Sequence, residues 1–192
     1  MSATSEARFT SPRLECPHPE YWHSTDVDST ECEVTALVAA FVVALQPELV
    51  LETGTAFGQT AKAISRALLA NGHGRLVTLE TDPGRVTLSR ARCAGLPVQV
   101  LEMSSLDYTP DAPVDFVWFD SLVELRPVEL RRYLPYLSPR AVVGFHDTGP
   151  QHPLRHLLAP LEAEGLLVSP LYLPTPRGVC FARTGHRSED RR

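Results

Sequence analysis

A chain of 192 residues carries one hydrophobic core readily and two only with difficulty, so a single domain is expected. With 43% hydrophobic and 21% charged residues, neither a disordered nor a fibrous polymer fits. A formal charge of -5, with no Lys/Arg run longer than a pair, offers no footprint for a polyanion, so nucleic acid is not an expected partner. The longest apolar stretch, residues 36–45, is about half a bilayer span, and residues 1–9 lack a basic-then-apolar leader. No membrane partner and a cytoplasmic location are therefore expected. Cys16, Cys32, Cys93 and Cys180 form no CxxC pair and read as reduced thiols.

In chain order, residues 1–28 are polar, contain Pro12, Pro17 and Pro19, and carry the cluster Tyr21-Trp22-His23; they read as an irregular arm. Thr30-Glu31-Cys32-Glu33 has the form of a capping box. Behind it Val34, Leu37, Val38, Phe41, Val42 and Leu45 recur at helical spacing, up to Pro47. The chain then alternates short β-rich runs with helix-length segments, the rhythm of βαβ units in a parallel sheet. Strands are predicted at residues 49–53, 75–80, 98–103, 114–120 and 141–146. Helices are predicted at 59–70, 83–94, 127–137 and 153–164. Residues 167–173 and 179–183, joined through Pro174, Pro176 and Gly178, read as an antiparallel hairpin closing the sheet. Residues 29–184 thus form one α/β domain, and the charged segment 185–192 reads as a disordered tail.

The most informative stretch is Glu52-Thr53-Gly54-Thr55-Ala56-Phe57-Gly58-Gln59-Thr60, where the first strand turns into a helix. Glycine there allows close backbone approach to a ligand, and a helix N-terminus offers unpaired N–H groups. The dinucleotide pattern GxGxxG is absent, since Ala56 takes its middle position. Glu52 would repel a pyrophosphate and suits a cationic group such as the amine of an amino acid. The second strand ends in Glu80-Thr81-Asp82. An acid at that edge can accept hydrogen bonds from both hydroxyls of a ribose. Asp82 before Pro83 suits a helix cap, which leaves Glu80 for the ligand. Ser104, after the third strand, is a candidate for the edge of a base.

These residues resemble motif I of the class I S-adenosylmethionine-dependent methyltransferases, and the strand succession resembles their Rossmann-like seven-stranded sheet. Asp115-Phe116-Val117-Trp118-Phe119-Asp120-Ser121, followed by Gly144-Phe145-His146-Asp147-Thr148, is similar to small-molecule O-methyltransferases and cephalosporin-hydroxylase-like methyltransferases. The resemblance implies that Glu52, Gly54, Gly58 and Glu80 hold S-adenosylmethionine and that Asp120 lies beside the transferred methyl; Thr55, Phe57, Gln59, Thr60 and Ser104, with Asp120 itself, complete the ten residues expected at the cofactor site.

Asp120 ends the fourth strand and His146-Asp147 the fifth, so all three meet at the sheet edge where open α/β folds bind ligands. Three readings compete. Asp120, His146 and Asp147 hold a divalent metal such as Mg²⁺ or Mn²⁺ that activates an acceptor hydroxyl. Alternatively His146 or Asp120 is the general base, with no metal. In the third reading Asp147-Thr148-Gly149-Pro150 is only a turn. Metal-dependent relatives are acidic at both positions of the later pair, a pattern from which His146 departs. The acceptor pocket is expected to be completed by Tyr21, Trp22 and His23 and by residues 173–178; the aromatic cluster alternatively plugs the first helix or forms a homodimer contact. No insertion encloses a bulky substrate, which points to a small hydroxylated metabolite. A non-catalytic S-adenosylmethionine-binding protein and a nucleotide-dependent oxidoreductase are the alternative classes. His18, His73, His152, His156 and His186 are assigned no role.

Overall fold

Apolar residues run almost continuously along the predicted central strands and recur every third or fourth position along the predicted helices, and each pattern folds as its period requires. A computed structural model describes residues 7–8, 16 and 18–185. Seven strands form one sheet: β1 (Leu49–Thr53), β2 (Arg75–Glu80), β3 (Val98–Glu102), β4 (Val114–Phe119), β5 (Leu137–His146), β6 (Leu167–Leu173) and β7 (Val179–Thr184). Their spatial order is β3-β2-β1-β4-β5-β7-β6, with the first five parallel and β7 antiparallel to both β5 and β6. The five helices are α1 (Cys32–Leu45), α2 (Gln59–Asn71), α3 (Pro83–Arg92), α4 (Arg126–Tyr133) and α5 (Leu154–Ala163).

Alternation divides the core in two. Leu49, Leu51, Val117, Phe119 and Phe145 meet Leu130 and Tyr133 of α4 and Leu154, Leu158 and Leu161 of α5. Val50, Leu76, Phe116 and Trp118 meet Val34, Val38 and Val42 of α1 and Ala61, Ile64 and Leu68 of α2. Every residue of β1 and β4 is buried, as a central strand covered on both faces requires. Each such large apolar side chain contributes about 1.5–3 kcal/mol on burial. The strand order reverses between β1 and β4, which places the ligand crevice at the carboxyl ends of those strands.

Several boundaries differ from expectation. The helix predicted at 127–137 ends at Tyr133 and continues as a 3₁₀ turn, Leu134–Tyr136, containing Pro135. β5 begins at Leu137, four residues early, with the exposed Pro139 carried past an irregular pairing with β4. The arm is not wholly irregular: His23–Ser24 pairs with Ala7–Arg8, and Pro19–Tyr21 is a 3₁₀ turn. Pro12, Pro17 and residues 186–192 of the expected tail lie outside the described residues. Among the described residues, no helix is long and apolar enough to cross a membrane.

Candidate active site

The carboxyl ends of the parallel strands open onto a cavity of about 610 Å³. At one end it is lined by Gly54, Ala56, Leu79, Glu80 and Ser104; at the other by Asp120, Arg126, Asp147, His152 and Arg177.

The glycine-loop end is organised around Glu80. One carboxylate oxygen accepts the Ala56 N–H (2.8 Å), and the other accepts the N–H groups of Thr81 (2.8 Å) and Asp82 (3.0 Å). This clamps the loop after β1 to the loop after β2, and a carboxylate's four lone-pair sites leave room for a further donor. Asp82 caps α3, accepting the Arg85 N–H at 2.8 Å.

Gly54 is required for a different reason than ligand approach. It sits at φ +82°, and a Cβ there would lie 2.3 Å from the Asp120 carbonyl oxygen and 2.7 Å from the Ser121 nitrogen. The glycine lets the β1 loop cross the end of β4. Gly58, at φ +76°, opens α2 where a Cβ would meet the Ser89 Cβ at 2.8 Å.

Of the ten residues expected to hold the cofactor, Gly54, Glu80, Ser104 and Asp120 line the cavity. Glu52, Thr55, Phe57, Gly58, Gln59 and Thr60 do not. Glu52 is 1% exposed and accepts a hydrogen bond from the Thr78 hydroxyl, which also pairs with Thr55. Burial, with the nearby Asp120 and Glu80 carboxylates, raises its pKa to about 8 against that hydrogen bond. It lies buried under the loop and does not line the cavity. The Phe57 ring lies under the Arg85 guanidinium at 5.4 Å, and Gln59 accepts the Thr25 hydroxyl at 2.7 Å.

At the charged end, Asp120, His146 and Asp147 do converge: one donor atom from each lies within 4.8 Å of the others. What stands between the carboxylates is Arg126, only 2% exposed. Its Nη2 donates to Asp120 Oδ1 (3.2 Å), Asp147 Oδ2 (2.9 Å) and the Ser121 carbonyl (2.6 Å), and its Nη1 donates to the His146 carbonyl. Arg177 Nε donates to Asp147 Oδ1 at 2.7 Å. Burial would push Asp147 up, but His146, Arg126 and Arg177 outweigh it and hold the carboxyl well below its ordinary range. Asp147 takes φ +59°, a left-handed conformation that aspartate tolerates better than most residues.

His146 is completely buried, with Nδ1 3.1 Å from Asp120 Oδ1 and Nε2 2.6 Å from Glu31 Oε2. Burial disfavours its cation, yet Asp120, Asp147 and the hydrogen bonds to Asp120 and Glu31 raise its pKa to about 9. Asp120 and Asp147 thus already receive the fixed charges of Arg126 and Arg177, while His146 is engaged at both nitrogens. A divalent ion would add two charges to a balanced set, beside a guanidinium that cannot deprotonate. These residues do not fit Mg²⁺ or Mn²⁺. His146 itself is buried, has both nitrogens engaged and does not line the cavity.

Tyr21, Trp22 and His23 do not line the cavity. Trp22 packs on the α1–α2 side of the core, Tyr21 stacks on His18, and His23 is held by Glu33 at 2.8 Å. The capping box is likewise absent, for Glu31 occupies the cap position with no side-chain cap. Its carboxylate is drawn to His146 and to the Arg177 N–H (3.0 Å), while the Thr30 hydroxyl donates to Asp120 at 2.6 Å. Residues 173–178 contribute Arg177, as their position suggested.

Thr30, Glu31, Arg126, His152 and Arg177 were not legible as site residues. Arg126 left one trace: it opens α4, where the helix dipole disfavours a cation unless carboxylates hold it. Glu129, also of α4 and fully buried, accepts from Thr53 (3.0 Å), Ser121 (2.8 Å) and Ser105, tying together the ends of β1, β3 and β4. His152 lies 3.5 Å from Asp147 through Nε2, lines the cavity, and is 27% exposed. Burial, then the Arg177, His146 and Arg126 charges, lower its pKa against the opposing pull of Asp147.

A parallel α/β sheet ending in an antiparallel hairpin, with its cavity at the strand-order reversal, defines a Rossmann-like methyltransferase fold. The model of a family described as a methyltransferase domain matches residues 51–148, and the chain belongs to that family. The structure is similar to the S-adenosylhomocysteine-bound methyltransferase PaMTH1 of Podospora anserina (TM-score 0.72, 17% identity, 83% of this chain and 81% of that one). It is also similar to the O-methyltransferase TomG of Streptomyces achromogenes, involved in tomaymycin synthesis and bound to S-adenosylmethionine (0.69, 22%, 83% and 82%). A third similar structure is an O-methyltransferase of Bacillus cereus in complex with S-adenosylhomocysteine (0.68, 19%, 83% and 84%). A search of curated protein sequences returns no match.

Proposed function

We propose that this chain transfers a methyl group from S-adenosylmethionine to a small hydroxylated acceptor, and does so without a divalent metal. The observation that carries this reading is the placement of Arg126 between Asp120 and Asp147, at the far end of a cavity whose near end presents Gly54, Glu80 and Ser104. Bound S-adenosylmethionine supplies a sulfonium-activated methyl group.

The chain's own residues divide the remaining work. Glu80 is the acceptor for the ribose hydroxyls, and Ser104 flanks the base. Asp120, which is 14% exposed, stands between the two ends as an anion beside the methyl position, and Thr30, His146 and Arg126 fix its two oxygens. Arg126 and Arg177 provide the fixed positive charge that a metal would otherwise bring to the acceptor oxygen. Leu122, Val123 and Leu125 give the cavity an apolar wall suited to a small ring or alkyl group. Oxygen as the acceptor atom is favoured by the likeness to O-methyltransferases and by the polar lining.

Calorimetric titration tests the donor site. Wild-type protein is expected to bind S-adenosylmethionine and S-adenosylhomocysteine and not NADH, and Glu80→Ala is expected to weaken both by more than about tenfold, the loss of one charged hydrogen-bonding site. Preference for NADH, or binding indifferent to Glu80→Ala, would overturn the reading.

A further inference from the structure

We infer that His152 is the group that accepts the acceptor's proton, oriented by Asp147. The inference rests on the methyltransferase reading above and deepens it by naming the base.

Oxygen methylation releases a proton. The bond between acceptor oxygen and methyl carbon forms as the sulfur–methyl bond breaks, the sulfonium becomes a neutral thioether, and the hydroxyl proton must leave. Four side chains at the charged end are candidates to take it. His146 is completely buried and engaged at both nitrogens. Asp147 gives one oxygen to Arg126 at 2.9 Å and the other to Arg177 at 2.7 Å. Asp120 receives Thr30 on one oxygen and both Arg126 and His146 on the other. Every oxygen of these two carboxylates is thus already engaged by a donor.

His152 differs from all three. It lines the cavity and is 27% exposed, so a substrate hydroxyl can reach it. Its Nε2 lies 3.5 Å from Asp147 Oδ1, at ion-pair distance and longer than a hydrogen bond. A carboxylate near one ring nitrogen favours the tautomer protonated there and leaves the lone pair on the other; contacts of this kind are often long without substrate and tighten when it binds. The surrounding charges are Asp147, Arg177, His146 and Arg126. Arg126 and Arg177 fix Asp147, Asp147 stands beside the His152 ring, and the turn holds the residue through its N–H to the Gly149 carbonyl at 2.9 Å.

The test uses the full chain with S-adenosylmethionine, catechol and a fixed set of simple phenols as acceptor probes, and S-adenosylhomocysteine release as readout. His152→Ala is expected to lower kcat by about 100-fold or more, the usual contribution of a general base. The KM of the probe and the calorimetric affinity for S-adenosylmethionine should stay within threefold, and millimolar imidazole should restore part of the rate. His152→Gln, close in size, should lose as much rate and gain nothing from imidazole. A His152→Ala rate above one third of wild type, or a rate loss matched by lost donor affinity, would overturn the assignment. Wild-type protein that binds the donor yet turns over none of the probes would contradict the hydroxyl-acceptor reading on which the assignment rests; failure to bind the donor would instead contradict the methyltransferase reading itself.

Discussion

At the glycine-loop end of the cavity the chain presents mainly backbone, shaped by Gly54 and tied down by one carboxylate, Glu80. At the charged end it presents side chains from segments far apart in sequence: Thr30 and Glu31, Asp120 and Arg126, His146 and Asp147, and Arg177. The key contact of the first end, Glu80 to Ala56, spans 24 residues, whereas Thr30 to Asp120 spans 90 and Glu31 to His146 spans 115. A cradle made of backbone can be written into one contiguous motif. A balanced cluster of charges exists only once the whole domain has folded.

The comparison is broken most severely at Arg126. Arg126→Ala leaves Asp120, Asp147 and two carbonyls facing a buried vacancy, and removing one partner of a buried charge set costs about 3–5 kcal/mol. A large drop in the thermal midpoint is expected. Millimolar Mg²⁺ or Mn²⁺ should recover part of it in the variant and leave the wild type unmoved, which scanning calorimetry with each ion will show.

Gly54→Ala strikes the other end. Its methyl would sit 2.3 Å from a backbone oxygen, and overpacking of this kind costs about 1–3 kcal/mol, added to the strain of a positive φ. Donor affinity should fall by more than about tenfold, with chemical unfolding giving the stability loss.

A smaller effect separates the buried titrating groups. Glu52 binds a proton in the folded chain up to about pH 8, against an ordinary carboxyl value near 4.5. Its contribution is complete below that ordinary value and is lost as pH rises toward 8. His146, raised from 6.5 to about 9, contributes fully below 6.5 and loses that contribution as pH rises through 9. Stability should therefore decline from pH 6.5 to 9. Glu52→Gln, which keeps the Thr78 contact without the ionisation, should flatten the decline up to pH 8 by about 1 kcal/mol or more. Thermal midpoints measured across that range provide the check.

How much was legible follows the same division. The apolar runs at Leu49–Thr53 and Arg75–Glu80 placed those strands as observed, because burial on both faces leaves little choice of register, while the edge strand Leu167–Leu173 was placed by its apolar residues and the Pro- and Gly-containing turn that follows. Gly54 and Glu80 were legible because each stands at a strand end within a recognisable pattern, Gly54 in the turn after β1 and Glu80 at the carboxyl end of β2. Glu52 looked like a ligand for an ammonium group because its neighbours in space, Thr78, Glu80 and Asp120, lie outside the motif. Thr30-Glu31-Cys32-Glu33 read as a cap because local pattern rules cannot see that His146 draws the Glu31 side chain away. His152 and Arg177 were silent for the same reason: each gains its meaning from Asp147, which only the packed sheet edge supplies.

The most direct measurement is the rate of S-adenosylhomocysteine release from S-adenosylmethionine with small phenolic acceptors, compared in EDTA and in millimolar Mg²⁺ or Mn²⁺. With Arg126 and Arg177 serving as the fixed cations of the acceptor end, the rates should agree within about twofold, since no metal-held charge contributes to the transition state. A rate that collapses in EDTA and returns with one of the ions would contradict that account and assign Asp120 and Asp147 to a metal.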